Sequence, residues 1–314
     1  LNNFTLTLGS STSDLTVENA ITIDASTEGI STGEADLILN GVFNMSDGRL
    51  NSTSGTIYLL EGGELSGSGE FNFDDSTWKL AGDFISSGTL NFENTNLELE
   101  EDITLSSDEA IRFLTLSLNY HTLTLGSSTS DLTVDNALNI GQNTEGISTG
   151  DADLILNQYL RIFEEGSITS TGGTISLQEG GELSGTETGN GILDISDSIW
   201  TLGGDFTKSS GTLTISQTDL KLAGNSKLTS DEALSFVTLN LNDFTLTLGS
   251  PTSDLTVQNA ITIDSSGEGI LTGEADLILL SALTMSEGLL GSTGGTWVLS
   301  KDFLKSGGTL TISQ

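Results

Sequence analysis

Hydrophobic and polar residues alternate in short runs along the whole chain, and one four-residue phrase recurs: a polar or occasional apolar opening residue, then apolar, variable and apolar positions. It reads DLTV at Asp14, DLIL at Asp36 and TWKL at Thr77. A period of two places successive side chains on opposite faces of a strand. No segment shows the 3.6-residue apolar spacing of a helix over three turns. The pattern therefore predicts an all-β protein.

The recurring phrase divides the chain into about 15 coils of about 20 residues. The phrases begin at Asp14, Asp36, Thr56, Thr77, Asn96, Thr115, Asp131, Asp153, Thr174, Ile199, Asp219, Thr238, Asp254, Asp276 and Thr296. Each coil holds up to three short strands, and like strands of successive coils stack into three parallel sheets. Since crossover connections are normally right-handed, we expect a right-handed, single-stranded parallel β-helix (a β-solenoid) of triangular section.

The alternation also predicts which side chains fill the core. In the first strand of each coil the inward positions include Leu37, Trp78 and Leu97, so these three should be buried. The residues between inward positions, such as Lys79 and Glu98, have no shared apolar character and should face solvent. Burial of the inward set is the test of this fold.

Coils are grouped into long repeats. Residues 9–40 and 126–157 are identical at 25 of 32 positions, and near-copies at a fixed period are typical of a repeat architecture. We predict one continuous β-solenoid over 1–314, with long repeats 1–117, 118–240 and 241–314, the third truncated and lacking one coil. The coil that begins at Thr115 has only 16 residues, so we expect it to drop its third strand and narrow the tube.

Both ends of the sequence match interior parts of the pattern. Residues 1–10 correspond to the second half of a sixth coil, and residues 309–314 correspond to 212–217, which continue into another coil. A solenoid end without a polar cap exposes backbone groups that favour addition of another strand. We therefore expect the array to continue in the same polypeptide or in a stacked second copy.

The charge balance excludes several partners. With 44 acidic and 9 basic residues the net charge is −35, so the surface repels nucleic acid and anionic lipid and attracts polyvalent cations. No apolar run approaches the roughly 20 residues of a membrane-spanning helix, so no membrane insertion is expected in this segment. Cysteine is absent, which excludes disulfides and thiolate metal sites.

The segments TSDLTVENAITI, GTLTISQ and EGGELSG resemble the right-handed parallel β-helix repeats of large bacterial surface proteins. The nearest kinds are filamentous-haemagglutinin-like adhesins and autotransporter passenger domains. The resemblance extends over the whole chain. It implies an extracellular, cell-attached or fibrous protein from a Gram-negative-type bacterium.

Carboxylates are the main candidates for a ligand site. The turns Glu61-Gly-Gly-Glu64 and Glu179-Gly-Gly-Glu182 recur, which makes them weak Ca²⁺ candidates. A denser acidic cluster does not recur: Glu98, Glu100, Glu101 and Asp102 become Lys221, Ala223, Gly224 and Asn225 in the second copy, which favours a solvated surface. No other cofactor is predicted.

A further set of short polar residues opens the strands, and their side chains can bond their own backbone and hold the bend. The set comprises Asp14, Asp36, Asn96, Asp131, Asp153, Asp219, Asp254 and Asp276.

Catalysis is not expected. The chain has one histidine and three arginines, and no basic cluster lies among the carboxylates as a polysaccharide-degrading β-helix enzyme requires. His121 occupies the position of Phe4 and Phe244 in the other copies and is interpreted as a face residue. Trp78, Trp200 and Trp297 fall at inward positions and are interpreted as core residues.

Three functional hypotheses follow. The first is a structural segment of an extracellular or cell-surface fibre, which associates with itself end to end, bundles laterally through cations, or belongs to a very long repeat chain. The second is the shaft of a bacterial adhesin whose receptor-binding tip lies outside this segment. The third and most remote is a polysaccharide-degrading β-helix enzyme.

Overall fold

A computed structural model describes residues 4–141, 145–185 and 189–313. Every regular element in these ranges is a β-strand, and the strands stack in parallel as a β-solenoid of about 14 turns. The all-β prediction is confirmed. The structure has about 14 turns where the sequence predicts about 15 coils, because the short coils supply two strands each instead of three.

The first long repeat contributes seventeen strands. They are β1 Thr5–Thr7, β2 Leu15–Val17, β3 Ile21–Ile23, β4 Gly29–Gly33, β5 Leu37–Leu39, β6 Phe43–Met45, β7 Arg49–Ser52, β8 Thr56–Leu59, β9 Gly63–Leu65, β10 Glu70–Asp74, β11 Thr77–Leu80, β12 Phe84–Ser86, β13 Thr89–Glu93, β14 Asn96–Leu99, β15 Ile103–Ser107, β16 Ile111–Phe113 and β17 Thr115–Ser117.

The second long repeat contributes the next seventeen strands. They are β18 Thr122–Leu125, β19 Leu132–Val134, β20 Leu138–Ile140, β21 Gly146–Gly150, β22 Leu154–Leu156, β23 Leu160–Ile162, β24 Ser167–Ser170, β25 Thr174–Leu177, β26 Gly181–Leu183, β27 Ile192–Ser196, β28 Ile199–Leu202, β29 Phe206–Lys208, β30 Thr212–Ser216, β31 Asp219–Leu222, β32 Ser226–Ser230, β33 Leu234–Phe236 and β34 Thr238–Asn240.

The remaining strands belong to the third long repeat. They are β35 Thr245–Leu248, β36 Leu255–Val257, β37 Ile261–Ile263, β38 Gly269–Leu271, β39 Leu277–Leu279, β40 Leu283–Met285, β41 Leu289–Ser292, β42 Trp297–Leu299, β43 Phe303–Lys305 and β44 Thr309–Ile312.

The chain divides into two compact units, one formed by residues 1–138 with 144–154 and the other by residues 139–143 with 155–314. In the first unit the strands form rows in which each strand pairs with the strand three places later. These rows are β1-β4-β7-β10-β13, β2-β5-β8-β11-β14-β17, β3-β6-β9-β12-β15-β18-β21 and β16-β19. Three strands therefore complete one turn of the chain.

The second unit follows the same rule. Its rows are β23-β26-β29-β32-β35-β38-β41-β44, β25-β28-β31-β34, β24-β27-β30, β33-β36-β39-β42 and β37-β40-β43. Register is kept residue for residue, as where Trp200 pairs with Leu220 and Leu202 pairs with Leu222. Equivalent side chains of successive turns consequently lie one above another.

The predicted core residues are buried. Leu37, Trp78 and Leu97 are each 0% exposed, so the inward assignment from the period-two pattern is confirmed. Lys79 and Glu98, between inward positions, keep about a third of their side-chain surface exposed. Apolar residues of all rows therefore meet in one interior within each unit, where their removal from water stabilises the stack.

The short coil contains two strands, β17 and β18, so the loss of its third strand is confirmed. The expected narrowing of the tube is wrong. β19 takes the vacant third place and pairs with β16, placing Leu132 beside Ile111 and Val134 beside Phe113. Seventeen strands are not a multiple of three. In the first unit, β19 therefore lies in a different row from β2, although both have the sequence LTV.

Candidate functional site

The recurring Glu-Gly-Gly-Glu turn is built around a close backbone approach. Gly62 has φ of +65°, and a Cβ at this position would lie 2.0 Å from the carbonyl oxygen of Asp83. The amide of Gly63 donates to the same carbonyl at 3.0 Å. Only glycine fits such a contact at positive φ. The recurrence of the glycines is therefore explained by stacking of one turn on the next.

The second copy repeats this geometry. Gly180 has φ of +78°, a Cβ there would lie 1.9 Å from the carbonyl oxygen of Asp205, and the Gly181 amide donates to that oxygen at 2.9 Å. The two turns therefore share a backbone requirement, which accounts for their similarity without a ligand.

The four glutamates of these turns do not converge on a common point. Glu61, Glu64 and Glu179 are exposed, and half-buried Glu182 pairs with Arg161, its Oε2 3.6 Å from Nε. Within residues 4–141, 145–185 and 189–313, no three His, Cys, Asp or Glu side chains are grouped to hold a metal ion. In the described geometry Glu61, Glu64 and Glu179 are therefore exposed surface carboxylates, and Glu182 belongs to an ion pair.

Five of the strand-opening aspartates join successive turns, a role that differs from the expected bond to their own bend. The carboxylate of each of these five accepts the amide N–H of the equivalent residue in the next turn. Asp14 Oδ1 accepts from Asp36 N at 3.1 Å, and Asp36 Oδ1 accepts from Thr56 N at 2.7 Å. Further bonds of this kind are Asp131 to Asp153 at 2.9 Å, Asp254 to Asp276 at 2.8 Å and Asp276 to Thr296 at 2.6 Å. These residues join turns.

At a second corner, in both units, a side-chain oxygen again accepts a backbone N–H of the next turn. Asp102 Oδ1 accepts from Thr122 N at 2.7 Å, and its counterpart Asn225 Oδ1 accepts from Thr245 N at 2.8 Å. Because an amide oxygen performs the same role as a carboxylate oxygen, the position requires an acceptor and not a negative charge. Part of the acidic composition is therefore explained by backbone hydrogen bonding.

The acidic cluster of the first unit is organised by one lysine. Lys79 Nζ lies 2.6 Å from Glu98 Oε2 and 3.3 Å from Glu100 Oε1. The hydrogen bond to Glu98, followed by that to Glu100, raises the pKa of Lys79 although partial burial opposes the shift. Tyr58 lies in the neighbouring strand, and burial together with Glu100 raises the pKa of its phenol. The arrangement is a surface ion-pair network.

The tryptophans and the histidine that were considered for catalysis lie in the core or make hydrogen bonds and surface contacts. Trp78 and Trp200 are fully buried, as predicted, and Trp297 is half-buried with its indole N–H donating to Thr272 Oγ1 at 3.2 Å. His121 lies at the surface, with Nδ1 3.8 Å from Asp102 Oδ1. These contacts place His121 beside a carboxylate that already accepts a backbone bond.

Sequence reasoning missed a column of asparagines on the outward side of β7, β10 and β13. Asn72 Nδ2 donates to Asn51 Oδ1 at 2.9 Å, and Asn91 Nδ2 donates to Asn72 Oδ1 at 2.8 Å. The column lines a groove of about 690 Å³. Its signal was visible in the sequence as Leu-Asn-Ser, Phe-Asn-Phe and Leu-Asn-Phe at matching strand positions.

A second missed residue is Lys208, which takes an inward position of β29 and has only 3% of its side chain exposed. Its Nζ binds Asp231 Oδ1 and lies 3.3 Å from Glu232 Oε1 at the corner of the next turn. The counterpart in the first unit is Ser86. A lysine at an apolar-patterned position is difficult to detect from alternation alone.

The stacked rows define a parallel β-solenoid with side-chain ladders along its surface. Comparison of the chain with protein-family models, with curated proteins and with solved structures found no match. No described segment forms a helix with the length and apolar character needed to cross a membrane. The functional conclusion therefore depends on the geometry of the chain itself.

Proposed function

We propose that the chain is a structural segment of an extracellular or cell-surface fibre built from stacked solenoid turns. The observation that carries this proposal is the three-place pairing, which repeats in every row of each unit. A turn that contacts only its two neighbours can be added or removed without altering the rest. Growth by addition of turns is how a solenoid becomes a long fibre.

The proposal assigns no catalytic role. Within the described ranges, Lys79 and Arg161 lie in surface ion pairs, and strand-opening aspartates such as Asp36 accept backbone N–H groups of the next turn. The truncated third repeat supports the structural role, because it lacks one coil yet retains continuous rows from β35 to β44. Loss of a coil is tolerated where a chain serves as a spacer.

Continuation of the rows beyond β44 is part of the proposal, either by further coils of the same polypeptide or by a second copy stacked head to tail. β44 is exposed along all four residues, including Leu310 at 37% and Ile312 at 62%. The amides of Thr309 and Ser313 donate back to the preceding turn at 2.9 and 3.1 Å. Since successive N–H groups of a parallel strand point to opposite neighbours, those of Leu310 and Ile312 point onward.

Sedimentation over a range of concentrations, combined with negative-stain electron microscopy, tests this association. We expect end-to-end oligomers, and we expect Leu310→Pro to abolish them by removing one onward donor. Leu310→Val keeps that donor and serves as the control. A chain that stays monomeric at every concentration would contradict stacking of copies, and oligomers unaffected by Leu310→Pro would contradict this edge.

Lateral association is proposed to require divalent cations, because a net charge of −35 makes parallel molecules repel each other. Light scattering should rise when millimolar Ca²⁺ or Mg²⁺ is added at low ionic strength and should fall again with a chelator. Scattering that persists after chelation would refute cation bridging without affecting the stacked-turn proposal.

In a second form of the proposal, the chain is the shaft of a bacterial adhesin. Its structural role is the same, and the receptor-binding tip lies outside this segment. Its support is the resemblance of the repeats to adhesin-like bacterial surface proteins. Localisation at the cell surface belongs to both forms of the proposal. Surface labelling of intact source cells with an antibody to this segment would test it, and signal only after permeabilisation would contradict it.

A further inference from the structure

Lys208 is an amine held inside the wall of the second unit. It ends β29 at an inward position, and its side chain is 3% exposed. Register places it between Leu183 of the turn before and Ser230 of the turn after. The aliphatic stem therefore continues a column of inward side chains, and the amine reaches the corner that follows Ser230. An ammonium with so little access to water carries a desolvation cost that an ion pair often fails to offset.

The corner of the next turn places two carboxyl groups beside this amine. Asp231 Oδ1 binds Lys208 Nζ directly, and Glu232 Oε1 lies 3.3 Å from the same nitrogen. Backbone contacts hold the corner in place. Ser230 Oγ accepts the amide N–H of Glu232 at 3.1 Å, and Ser253 Oγ accepts the amide N–H of Ser230 at 2.8 Å. The amine and both acids therefore meet in an arrangement that the stacked turns fix in advance.

Preorganisation of this kind favours a bond that the same groups do not form when free in water. A primary amine and a carboxylic acid condense to an amide and one water molecule. Between free groups the charged, separated state is preferred, but well-oriented intramolecular reactions reach effective molarities of about 10⁵–10⁸ M. The product amide is neutral, so the desolvation cost of the buried ammonium disappears.

We propose that Lys208 and Asp231 condense to an amide that joins two successive turns covalently. The ammonium of Lys208 first gives a proton to the Asp231 carboxylate. The neutral Nζ then attacks Cγ of Asp231, and the new C–N bond replaces the bond from Cγ to its hydroxyl. Glu232 takes a proton from the nitrogen and passes it to the departing hydroxyl, which leaves as water. No atom is oxidised or reduced.

The other repeats hold parts of this site. The first unit has Asp108 and Glu109 at the corner, but Ser86 occupies the position of the lysine. The third repeat has the amine, Lys305, whose Nζ donates to the carbonyl oxygen of Gly308 in its own turn at 3.0 Å. Among the described residues, this position of the repeat brings the amine and both acids together in the second unit alone.

The lysine network of the first unit shows what burial adds. Lys79 Nζ also contacts two carboxylates, those of Glu98 and Glu100, but 31% of the Lys79 side chain is exposed. Water hydrates that ammonium, so an ion pair is its stable form. We therefore expect one cross-link in the chain, at Lys208.

The intact mass of the denatured full chain tests the bond. We expect the parent chain to be lighter than its sequence mass by one water molecule, and a protease digest to yield a branched peptide that contains Lys208 and Asp231. Lys208→Arg keeps a positive charge but has no nucleophilic amine, so it should have its full sequence mass. Asp231→Asn should still cross-link, but with loss of ammonia in place of water. That signature does not depend on how a full-mass variant folds.

Two further variants test the roles of the neighbours. Glu232→Gln should raise the fraction of full-mass chain soon after synthesis, and an unchanged fraction would overturn its role in proton transfer. Ser86→Lys supplies the first unit with the missing amine and should add a second loss of water.

Full sequence mass of the parent chain, a loss of water that persists in Lys208→Arg, or Asp231→Asn without loss of ammonia would each overturn the cross-link. Absence of a second loss in Ser86→Lys would overturn the claim that the corner geometry suffices. None of these outcomes bears on the fibre role, which sedimentation and microscopy test separately.

Discussion

Two copies of the same three strands, one in each unit, differ both inside and outside. In the first unit β10 and β13 place Phe71, Phe73 and Phe92 inward, and in the second unit β27 and β30 place Leu193, Ile195 and Ile215 at those positions. Outside, an asparagine column is replaced by Thr169, Asp194 and Thr214. Strand positions and register are nevertheless the same.

The stacked backbone therefore depends on the alternation of inward and outward positions and on the corner contacts more than on particular side chains. Either an aromatic or an aliphatic set fills the interior, and the outward positions hold either amides or two hydroxyls and a carboxylate. The corner glycines and the acceptors at Asp102 and Asn225 are shared in function by both units. The backbone arrangement and the side chains that fill or cover it can therefore vary independently.

The largest effect is expected from the buried tryptophans. Trp78 packs against five aromatic rings at centroid distances of 5.0 to 6.2 Å, whereas Trp200 has two such contacts, at 4.9 and 6.1 Å. Replacement by alanine should cost about 3–5 kcal/mol in each unit. The loss at Trp78 should be larger, since aromatic pairs contribute about 0.5–1.5 kcal/mol beyond burial.

Hydrogen exchange resolved by unit checks this difference, because turns of a solenoid can open locally. Trp78→Ala should lower protection in the first unit more than Trp200→Ala does in the second. Equal losses would show that the aromatic cluster adds nothing to packing.

The corner glycines should give the next largest effect, and an equal one in both units. Gly62→Ala and Gly180→Ala each combine positive φ with a Cβ about 2 Å from a carbonyl oxygen. Each should cost more than about 2 kcal/mol in unfolding free energy. Gly33→Ala is the control, because Gly33 has positive φ but no atom within 4 Å of the added Cβ. Its cost should be about 1–2 kcal/mol.

The corner acceptors should show a smaller effect that also does not depend on the unit. Asp102→Ala and Asn225→Ala each remove the partner of a backbone N–H and should cost about 1 kcal/mol. Asp102→Asn keeps an acceptor and should be close to neutral. Amide exchange at Thr122 and Thr245 reports each bond directly. A large loss for Asp102→Asn would mean that the charge matters after all.

The smallest effect concerns alkaline pH and is confined to the first unit, because Lys79 is replaced by Thr201 in the second. The pKa of Lys79 is raised, chiefly by its hydrogen bond to Glu98. Its stabilisation is therefore complete below the ordinary value of 10.5 and is lost as pH rises through the higher folded value. Solvent exposure limits it to less than about 1 kcal/mol.

A pH series of chemical unfolding above pH 9 measures this loss. Lys79→Met should flatten the part of the profile that belongs to Lys79 while leaving Tyr58 to titrate. An identical profile in the parent and the variant would show that the ion pairs contribute nothing measurable.

Much of the fold was readable because every turn repeats the same constraint. Leu37, Trp78 and Leu97 followed from alternation alone, since only one register buries them all. The sequence did not show which strand each later strand pairs with after the short coil. The sequence TLSL at Thr115 looks like the opening of a full coil, yet β19 stacks on β16 because pairing advances by three strands and not by one phrase.

The candidate site was harder to predict for a related reason. Asn51, Asn72 and Asn91 are unremarkable singly and acquire meaning only when register brings them into line. The glutamates of the Glu-Gly-Gly-Glu turns drew notice because they recur, but the recurrence came from Gly62 and Gly180 between them. The alternation pattern did not predict the role of Lys208. Its aliphatic chain occupies an inward position while its ammonium group reaches a carboxylate at the corner.

The seventeen strands of a long repeat, a number not divisible by three, have a consequence for aggregation. Because β19 moves to the row beside that of its copy β2, a strip of like side chains cannot extend indefinitely along one flank. Long, flat and uniform flanks are what allow sheets to zip together irreversibly. Each short coil therefore interrupts the alignment of like side chains between two molecules that lie side by side. A chain of near-identical repeats consequently has no long, uniform flank on which sheets could stack.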